Sequence, residues 1–292
     1  MSSPSRYRLA LLQPLRVGGH GPGSMADVEH GVELIARAAA AGADLACFPE
    51  FSPGPIDVEA FYDAAPAMAE AAREHHINVV WSANEKVAGP DGTRNHLAVH
   101  VLDRNGTEVL HYLRTHPATI PAAETFGQLT SPADQFANFT LDGIEMGIVV
   151  CSEMWTPEVA RIVALRGAEL ILSPAGGGFT SLTRNWQLIN QARAIENICY
   201  VGLTNNLWGD EVGAAMITGP EYPLAFAGRE EVVVADLDLD RVRHLRGIDD
   251  SIAEPKLFDS VPGLLRARRP ELYADLVAPQ ADAFDYAAGM PR

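Results

Sequence analysis

Short apolar runs alternate with longer segments whose apolar residues recur at helical spacing, and this pattern extends over most of the chain. Such alternation is typical of an α/β fold, in which strands form sheets and helices cover them. Strands are predicted at residues 7–13, 43–48, 77–82, 95–101, 108–113, 143–150, 169–172, 198–204 and 232–237. Helices are predicted at residues 25–42, 58–75, 157–165 and 185–196, with Pro66 expected to kink or split the second.

The chain is expected to form one domain. No Ser/Gly-rich linker and no run of like charges divides the pattern. We therefore predict a single domain over residues 1–292, with an irregular C-terminal extension from about residue 247. Residues 115–132 lack periodicity, and we expect them to form a long loop that is a wall of the active site.

The charge of the chain limits its partners. A formal net charge of −16 repels the phosphate backbone of nucleic acids. No run of about 18 apolar residues occurs, so we expect no membrane span. Only two residues are lysines, Lys86 and Lys256, and arginine supplies nearly all of the positive charge. These features favour a small-molecule substrate over nucleic acid or a membrane.

The cysteines point to a reducing compartment. Cys47, Cys151 and Cys199 are too few and too irregularly spaced for a disulfide framework or a cysteine-based zinc site. The N-terminal residues lack the pattern of a secretory signal. We predict a cytoplasmic protein.

Two polar residues follow predicted strands, where α/β proteins often carry active-site groups. Cys151 ends an apolar strand and starts a turn into a helix, where nearby backbone N–H groups can activate a thiol and stabilise an oxyanion. Glu50 follows Pro49 at the end of another strand and is a candidate general base. Taken singly, the cysteine also fits a small buried apolar residue, and the glutamate fits a solvated loop residue.

Seven segments, in order and spacing, make the chain resemble the nitrilase superfamily of carbon-nitrogen hydrolases. The resemblance extends from about residue 7 to residue 273. The segments are ALLQ, AAGADLACFPE, RNHLAVHV, VLHYLRTHP, GIVVCSEMWTPEVAR, GAELILSP and WQLINQARAIENICYVGLTN. The resemblance implies an α/β fold built as an αββα sandwich, with two central sheets flanked by helices, and a homodimer or higher homo-oligomer.

The resemblance also implies the catalytic set. It assigns the general base to Glu50, the nucleophile to Cys151 and one oxyanion donor to the backbone N–H of Ser152. The family has a catalytic lysine where this chain has Arg114. Arginine keeps the charge and several donors, but it cannot release a proton. We therefore expect Arg114 to support oxyanion stabilisation but no proton transfer.

Three further residues are candidates for substrate binding. Glu124 best matches a second glutamate that is usual in the loop between the lysine and the cysteine. Trp155 is placed to line the pocket, although core packing is an equally simple role. Ala175 begins an Ala-Gly-Gly-Gly run that favours close backbone approach to the cysteine or a mobile loop.

The function predicted from these residues is hydrolysis of a linear amide or N-carbamoyl bond, or less readily of a nitrile, through a thioester on Cys151. The reaction implies no metal and no organic cofactor. Two alternatives remain open at this point. One is a catalytically impaired binding protein, because a catalytic residue has changed, and the other is an acyl-transfer enzyme that excludes water.

Overall fold

The computed structural model describes residues 3–16, 23–90, 92–118, 130–177, 182–207, 213–247, 265 and 268–280. The strands are β1 (Arg6–Leu12), β2 (Leu45–Cys47), β3 (Asn78–Gly89), β4 (Gly92–Leu102), β5 (Glu108–Leu113), β6 (Asn138–Leu141), β7 (Ile144–Ile148), β8 (Leu170–Gly177), β9 (Tyr200–Asn206), β10 (Met216–Thr218), β11 (Pro223–Phe226) and β12 (Val232–Asp238). The helices are α1 (Met25–Ala40), α2 (Ala65–His75), α3 (Pro157–Leu165), α4 (Thr183–Asn197), α5 (Leu239–Gly247) and α6 (Ala274–Val277). Single 3₁₀ turns occupy Cys151–Trp155 and Pro270–Leu272.

Two six-stranded sheets form the centre of the molecule. Their strand orders are β12-β1-β2-β3-β4-β5 and β11-β10-β9-β8-β7-β6. The alternate side chains that face inward, among them Leu11, Val99, Ile148 and Leu172, form one apolar core between the sheets. Burial of this apolar surface is the main force that holds the sheets together.

Helices cover the outer face of each sheet. Apolar residues of α1 and α2, including Leu34 and Met68, pack against the first sheet. Apolar residues of α3 and α4, including Val163 and Trp186, pack against the second. The layers therefore follow the order helix, sheet, sheet, helix, which confirms the predicted αββα sandwich.

Parallel strands lie at the middle of each sheet. In the first sheet β1, β2 and β3 are parallel, and in the second β7, β8 and β9 are parallel. Parallel neighbours end at the same edge of their sheet, so the ends of β7 and β8 lie side by side. The end of β2, in the other sheet, meets β8 through the hydrogen bond from the Glu50 N–H to the Ala175 carbonyl. Glu50 follows β2 and Cys151 follows β7.

Several predicted boundaries differ from the structure. The helix predicted at residues 58–75 is only α2, because Pro66 lies in its first turn, where a missing N–H costs nothing. Strand β6 was not predicted, although Asp142 and Gly143, both with positive φ, form the tight turn that joins it to β7. Strands β10 and β11 were also not predicted, since three or four residues carry too little periodicity for a strand. Helix α5 was not predicted either.

No helix among the described residues is long and apolar enough to span a bilayer. Of the predicted C-terminal extension beyond residue 247, only residue 265 and residues 268–280 are described. They form the 3₁₀ turn Pro270–Leu272 and the short helix α6.

Candidate active site

Cys151 lies at a sharp turn directly after β7. Its φ is 48°, a left-handed conformation that is uncommon for a residue other than glycine. The 3₁₀ turn Cys151–Trp155 starts there, and α3 follows it. Cys151 packs at the edge of both the inter-sheet core and the helix-side core of the second sheet, and the residue is partly buried.

Glu50 is held next to this thiol by the backbone of the neighbouring sheet. Its N–H donates to the carbonyl of Ala175 at 3.2 Å, and its carbonyl accepts from Asn206 Nδ2 at 2.7 Å. The side chain is only 3% exposed. The carboxylate adjoins Gly176 and lies close enough to the Cys151 thiol for the two groups to influence each other's pKa. The two predicted residues therefore meet where the two sheets come together.

Arg114 follows β5 and bridges the two halves of the site. Its Nη1 donates to Glu50 Oε1 at 2.5 Å, and its Nη2 donates to Ser152 Oγ at 2.5 Å. Arg114 is 3% exposed, and its Nε has no hydrogen-bond partner among the described residues. One planar guanidinium thus contacts both the candidate base and the residue after the cysteine, which a lysine ammonium is too compact to imitate.

The electrostatics keep the thiol protonated at rest. Burial, and then the negative charge of Glu50, raise the pKa of Cys151 to about 12, although Arg114 opposes the shift. Burial also raises the pKa of Glu50, and the charge of Arg114 and a hydrogen bond with Cys151 partly offset this effect. A thiol in this state needs a base to remove its proton during attack, and Glu50 is in contact with it.

Arg114 remains a cation in this setting. Burial alone lowers its pKa, but the carboxylates of Glu50 and Glu153 outweigh that effect and raise the pKa above its ordinary value. The arrangement supplies a fixed positive charge, and the guanidinium does not give up a proton. It can orient a carboxylate and stabilise developing negative charge.

Glu153 is a further residue of the site that was not predicted. Its side chain is fully buried, and its Oε1 accepts from the backbone N–H groups of Thr115 and His116 at 2.8 and 3.1 Å and from Thr115 Oγ1 at 2.7 Å. Its Oε2 accepts from the backbone N–H of Val150 at 2.7 Å. The phenol of Tyr112 donates to the same carboxylate at 3.2 Å. Glu153 therefore joins the segment that carries Arg114 to the turn that carries the cysteine.

The Glu153 carboxylate is ionised despite its burial. Burial raises its pKa, but hydrogen bonds from His116, Thr115 and Val150 and the charge of Arg114 lower it below the ordinary value overall. The sequence contains one signal for this role. Glu153 is an acidic residue in the first turn after a strand, where a carboxylate readily accepts from free backbone N–H groups.

The structure places the remaining predicted residues as follows. Ser152 is partly exposed and accepts from Arg114, so it adjoins the site. Trp155 is 39% exposed and meets the ring of Trp186 edge to face, with centroids 5.3 Å apart. Ala175 is fully buried in the helix-side core, and its carbonyl positions Glu50. Substrate binding by Trp155 and Ala175 stays a prediction, and Glu124 lies outside the described residues.

Comparison with known families gives one match that covers most of the chain. Residues 22–247 match the family described as carbon-nitrogen hydrolase. Among curated proteins, the chain is 26% identical over 287 residues to the omega-amidase NIT2 of Homo sapiens. That match covers 92% of this chain and 97% of the relative.

Solved structures give the same fold. A carbon-nitrogen hydrolase from Helicobacter pylori superposes with a TM-score of 0.78 at 22% identity, covering 94% of this chain and 99% of the other. An amidase variant from Nesterenkonia sp., with an acetamide group added covalently at its active-site cysteine, gives a TM-score of 0.73 at 21% identity. That match covers 95% of this chain and 100% of the other. At these identities the likeness shows the fold.

Proposed function

Because this chain belongs to the carbon-nitrogen hydrolase family, we propose that it hydrolyses linear amide or N-carbamoyl substrates through a thioester on Cys151. The observation that carries the proposal is the contact of the Cys151 thiol with a buried carboxylate, Glu50, which Arg114 holds at 2.5 Å. A protonated thiol beside a fixed base is the arrangement that nucleophilic catalysis needs when the thiol pKa is high.

The first half of the reaction forms the acyl-enzyme. The Cys151 sulfur attacks the substrate carbonyl carbon as its proton passes to Glu50, and the carbonyl π electrons move onto oxygen. The positive charge of Arg114 and the backbone N–H of Ser152 favour this oxyanion. When the intermediate collapses, the C–N bond breaks, and the proton on Glu50 passes to the departing ammonia or amine.

The second half releases the acid. Glu50 is again a free carboxylate after the amine has left, so it can take a proton from an incoming water molecule. The resulting hydroxide adds to the thioester carbon, and the C–S bond then breaks. The sulfur regains its proton from Glu50, and the carboxylic or carbamic acid leaves. Atoms and charges balance without an added cofactor.

In this scheme Arg114 has two tasks. It fixes the Glu50 carboxylate towards the thiol, and it supplies positive charge near the developing oxyanion. Neither task requires the guanidinium to lose a proton, which agrees with the chemistry of arginine. The replacement of the family's lysine is therefore compatible with turnover, provided that Glu50 performs every proton transfer.

The substrate class follows from the family and its named relatives. Omega-amides are the first compounds to test, because the human relative is an omega-amidase. We further propose one catalytic domain with a C-terminal extension from about residue 247, a homo-oligomeric assembly and a cytoplasmic location. Size-exclusion chromatography with light scattering tests the assembly, and fractionation of cells tests the location.

The decisive experiment detects both ammonia and the acyl-enzyme. Purified protein is incubated with a panel of omega-amides, simple primary amides, N-carbamoyl amino acids and nitriles. Ammonia is measured by a coupled assay, and the acyl adduct is measured by intact mass after acid quench. The variants are Cys151→Ala and Glu50→Gln, with Cys199→Ala as the matched control because Cys199 is buried in the core.

We expect ammonia release and an adduct on Cys151 with at least one amide, both lost in Cys151→Ala and retained in Cys199→Ala. If the adduct turned over only in the presence of an amine nucleophile, the activity would be acyl transfer and not hydrolysis. Binding of panel compounds without any adduct would refute the proposal in favour of a binding protein.

A further inference from the structure

A second cluster of reactive side chains lies on the outer face of the first sheet. Glu85 on β3, His100 on β4 and His111 on β5 place one potential ligand atom each within 4.8 Å of one another. His100 lies opposite Trp81 on β3 and His111 on β5 in the sheet register, and Trp81 belongs to the helix-side core. The cluster therefore faces away from the inter-sheet core, which contains Val99 and Tyr112.

We propose that Glu85, His100 and His111 form a binding site for a divalent transition-metal ion of the Zn²⁺ type. Two imidazoles and one carboxylate are a ligand set that zinc accepts with a water molecule in the fourth position. Calcium and magnesium prefer oxygen ligands throughout, so the two nitrogen donors argue against them. No cysteine belongs to this cluster, which is separate from the Cys151 site.

The strongest support is the position of the His100 ring between two carboxylates. Its Nδ1 lies 2.6 Å from Glu108 Oε1, and its Nε2 lies 2.8 Å from Glu85 Oε1. The contact with Glu85 falls outside hydrogen-bond geometry, and Nε2 is buried without a hydrogen-bond partner among the described residues. A buried ring nitrogen placed in this way beside a carboxylate is available to a cation that binds both groups.

The surroundings match those of known metal sites in two further ways. A histidine ligand usually has its other ring nitrogen hydrogen-bonded to a carboxylate, which fixes the ring orientation, and His100 Nδ1 has such a contact with Glu108. The ring of His100 is also stacked between Trp81 at 4.1 Å and His111 at 4.8 Å, which limits its rotation. The central ligand is thus held rigidly before a metal arrives.

Metal binding requires only a small movement of the outer ligand. Ligand atoms at about 2.0–2.1 Å from a tetrahedral zinc lie about 3.4 Å from one another. The ligand atoms here lie within 4.8 Å of one another, so no distance between two of them must shorten by more than about 1.4 Å. His111 Nε2 already lies 2.9 Å from Glu85 Oε2. The side chain of His111 is 40% exposed, so it can turn inward and solvent can reach the fourth position.

The test uses untagged full-length protein that carries Cys151→Ala, so that the active-site thiol cannot bind the metal. After removal of metals with a chelator, equilibrium dialysis against Zn²⁺ measures the number of ions bound, and Co²⁺ gives a visible absorption spectrum that reports coordination number. The ligand variants are His111→Ala and Glu85→Gln. The matched control is His244→Ala, because His244 is an exposed histidine of α5.

We expect one ion per chain, a tetrahedral Co²⁺ spectrum and a melting temperature raised by at least about 3 °C when the free metal exceeds Kd by 100-fold. Glu108→Gln should weaken binding by about 10–100-fold, since it removes the partner of a ligand rather than a ligand. His111→Ala and Glu85→Gln should lose the ion, and His244→Ala should keep it.

Two results would overturn the proposal. One is the absence of stoichiometric Zn²⁺ at micromolar free metal in a folded protein. The other is equal uptake by His111→Ala and His244→Ala, which would identify adventitious surface binding.

Discussion

Arg114 donates to Glu50 across the candidate active site, with Nη1 2.5 Å from Oε1, and both side chains are almost fully buried. The second terminal nitrogen of the same guanidinium reaches Ser152. The pair therefore fixes the general base relative to the turn that carries the nucleophile, and it gives the substituted position a defined structural task.

Arg114→Met should abolish activity and destabilise the fold. Removing one partner of a buried ion pair leaves an uncompensated charge, at a cost of about 3–5 kcal/mol. Arg114→Lys should keep a measurable fraction of kcat/KM, because it preserves the charge beside Glu50 but loses the contact with Ser152. Steady-state kinetics and chemical denaturation measure both effects. Equal kinetics of the two variants, both folded, would contradict an electrostatic role.

The rate of Cys151 alkylation should rise steadily with pH. Burial and the charge of Glu50 raise the thiol pKa to about 12, so the thiolate fraction increases tenfold per pH unit throughout the neutral and mildly alkaline range. Iodoacetamide labelling followed by peptide mapping gives the rate. Cys47 and Cys199 are fully buried and serve as internal controls that stay unmodified in the folded protein. A plateau near neutral pH would show a thiolate already formed at rest.

On the acid side of the pH profile (the acid limb), kcat/KM should fall with an apparent pKa above 4.5, the ordinary pKa of a glutamate, because burial raises the pKa of Glu50. Glu50 acts as a base only when it is ionised, so a raised pKa shifts the loss of activity to higher pH. A pH profile with a saturable amide measures the limb. Glu50→Gln should remove activity at every pH, and residual activity with an unchanged limb would assign the limb to another group.

Glu153→Gln should lower stability by about 2–4 kcal/mol at neutral pH, since several hydrogen bonds to a buried charge weaken. The folded-state pKa of Glu153 is lowered, so its ionised form stabilises the fold above the unfolded pKa, and that contribution is lost as pH falls through the folded value. The melting-temperature gap between wild type and Glu153→Gln should therefore narrow in acid. Glu158→Gln, at an exposed position of α3, should show no such gap.

The kinetics of Glu153→Gln distinguish a role of Glu153 in positioning the active site from a role in stability alone. If Glu153 positions Arg114 and the cysteine turn, Glu153→Gln lowers kcat at temperatures where it is fully folded, and Glu153→Asp restores part of it. An unchanged kcat in the folded variant would leave Glu153 with a purely structural role.

Gly176→Ala should reduce kcat by at least tenfold while leaving the fold intact. A Cβ at this position would lie 2.8 Å from Glu50 Oε2 and 3.3 Å from the ring of Phe51, so the carboxylate must shift from its position. Displacements of about 1 Å at a reacting group commonly cost about 10²-fold in rate. Gly247→Ala is the matched control, because its Cβ would meet no atom of the described residues within 4 Å. Equal activity of the two variants would contradict the inference that the Glu50 carboxylate needs the close approach of the Gly176 backbone.

Sequence and structure agree best where periodicity is long or motifs are specific. Helix α3 was predicted to the residue, and Glu50, Arg114 and Cys151 were placed through the family pattern and meet in the structure. Glu153 was not predicted. Its role depends on backbone N–H groups from a distant segment, which a single sequence does not reveal.

The histidine cluster illustrates the same limit. Glu85, His100 and His111 come from three strands and have no regular spacing in the chain, so no short motif marks them. They become neighbours only through the register of β3, β4 and β5 and the length of the β3–β4 hairpin. The β3–β4 hairpin is longer than the apolar run that predicted its first strand. Its outer part is polar and half-exposed, so the hydrophobic pattern does not mark that part as strand.

The left-handed backbone at Cys151 places selection for activity in conflict with selection for stability. A φ of 48° favours glycine over any side chain by roughly 1 kcal/mol. A lineage that no longer needed the chemistry would gain stability by exchanging this cysteine for glycine, whereas alanine would retain the strain. A cysteine that persists here in natural variants would record continuing demand for a nucleophile, whatever residue stands at position 114.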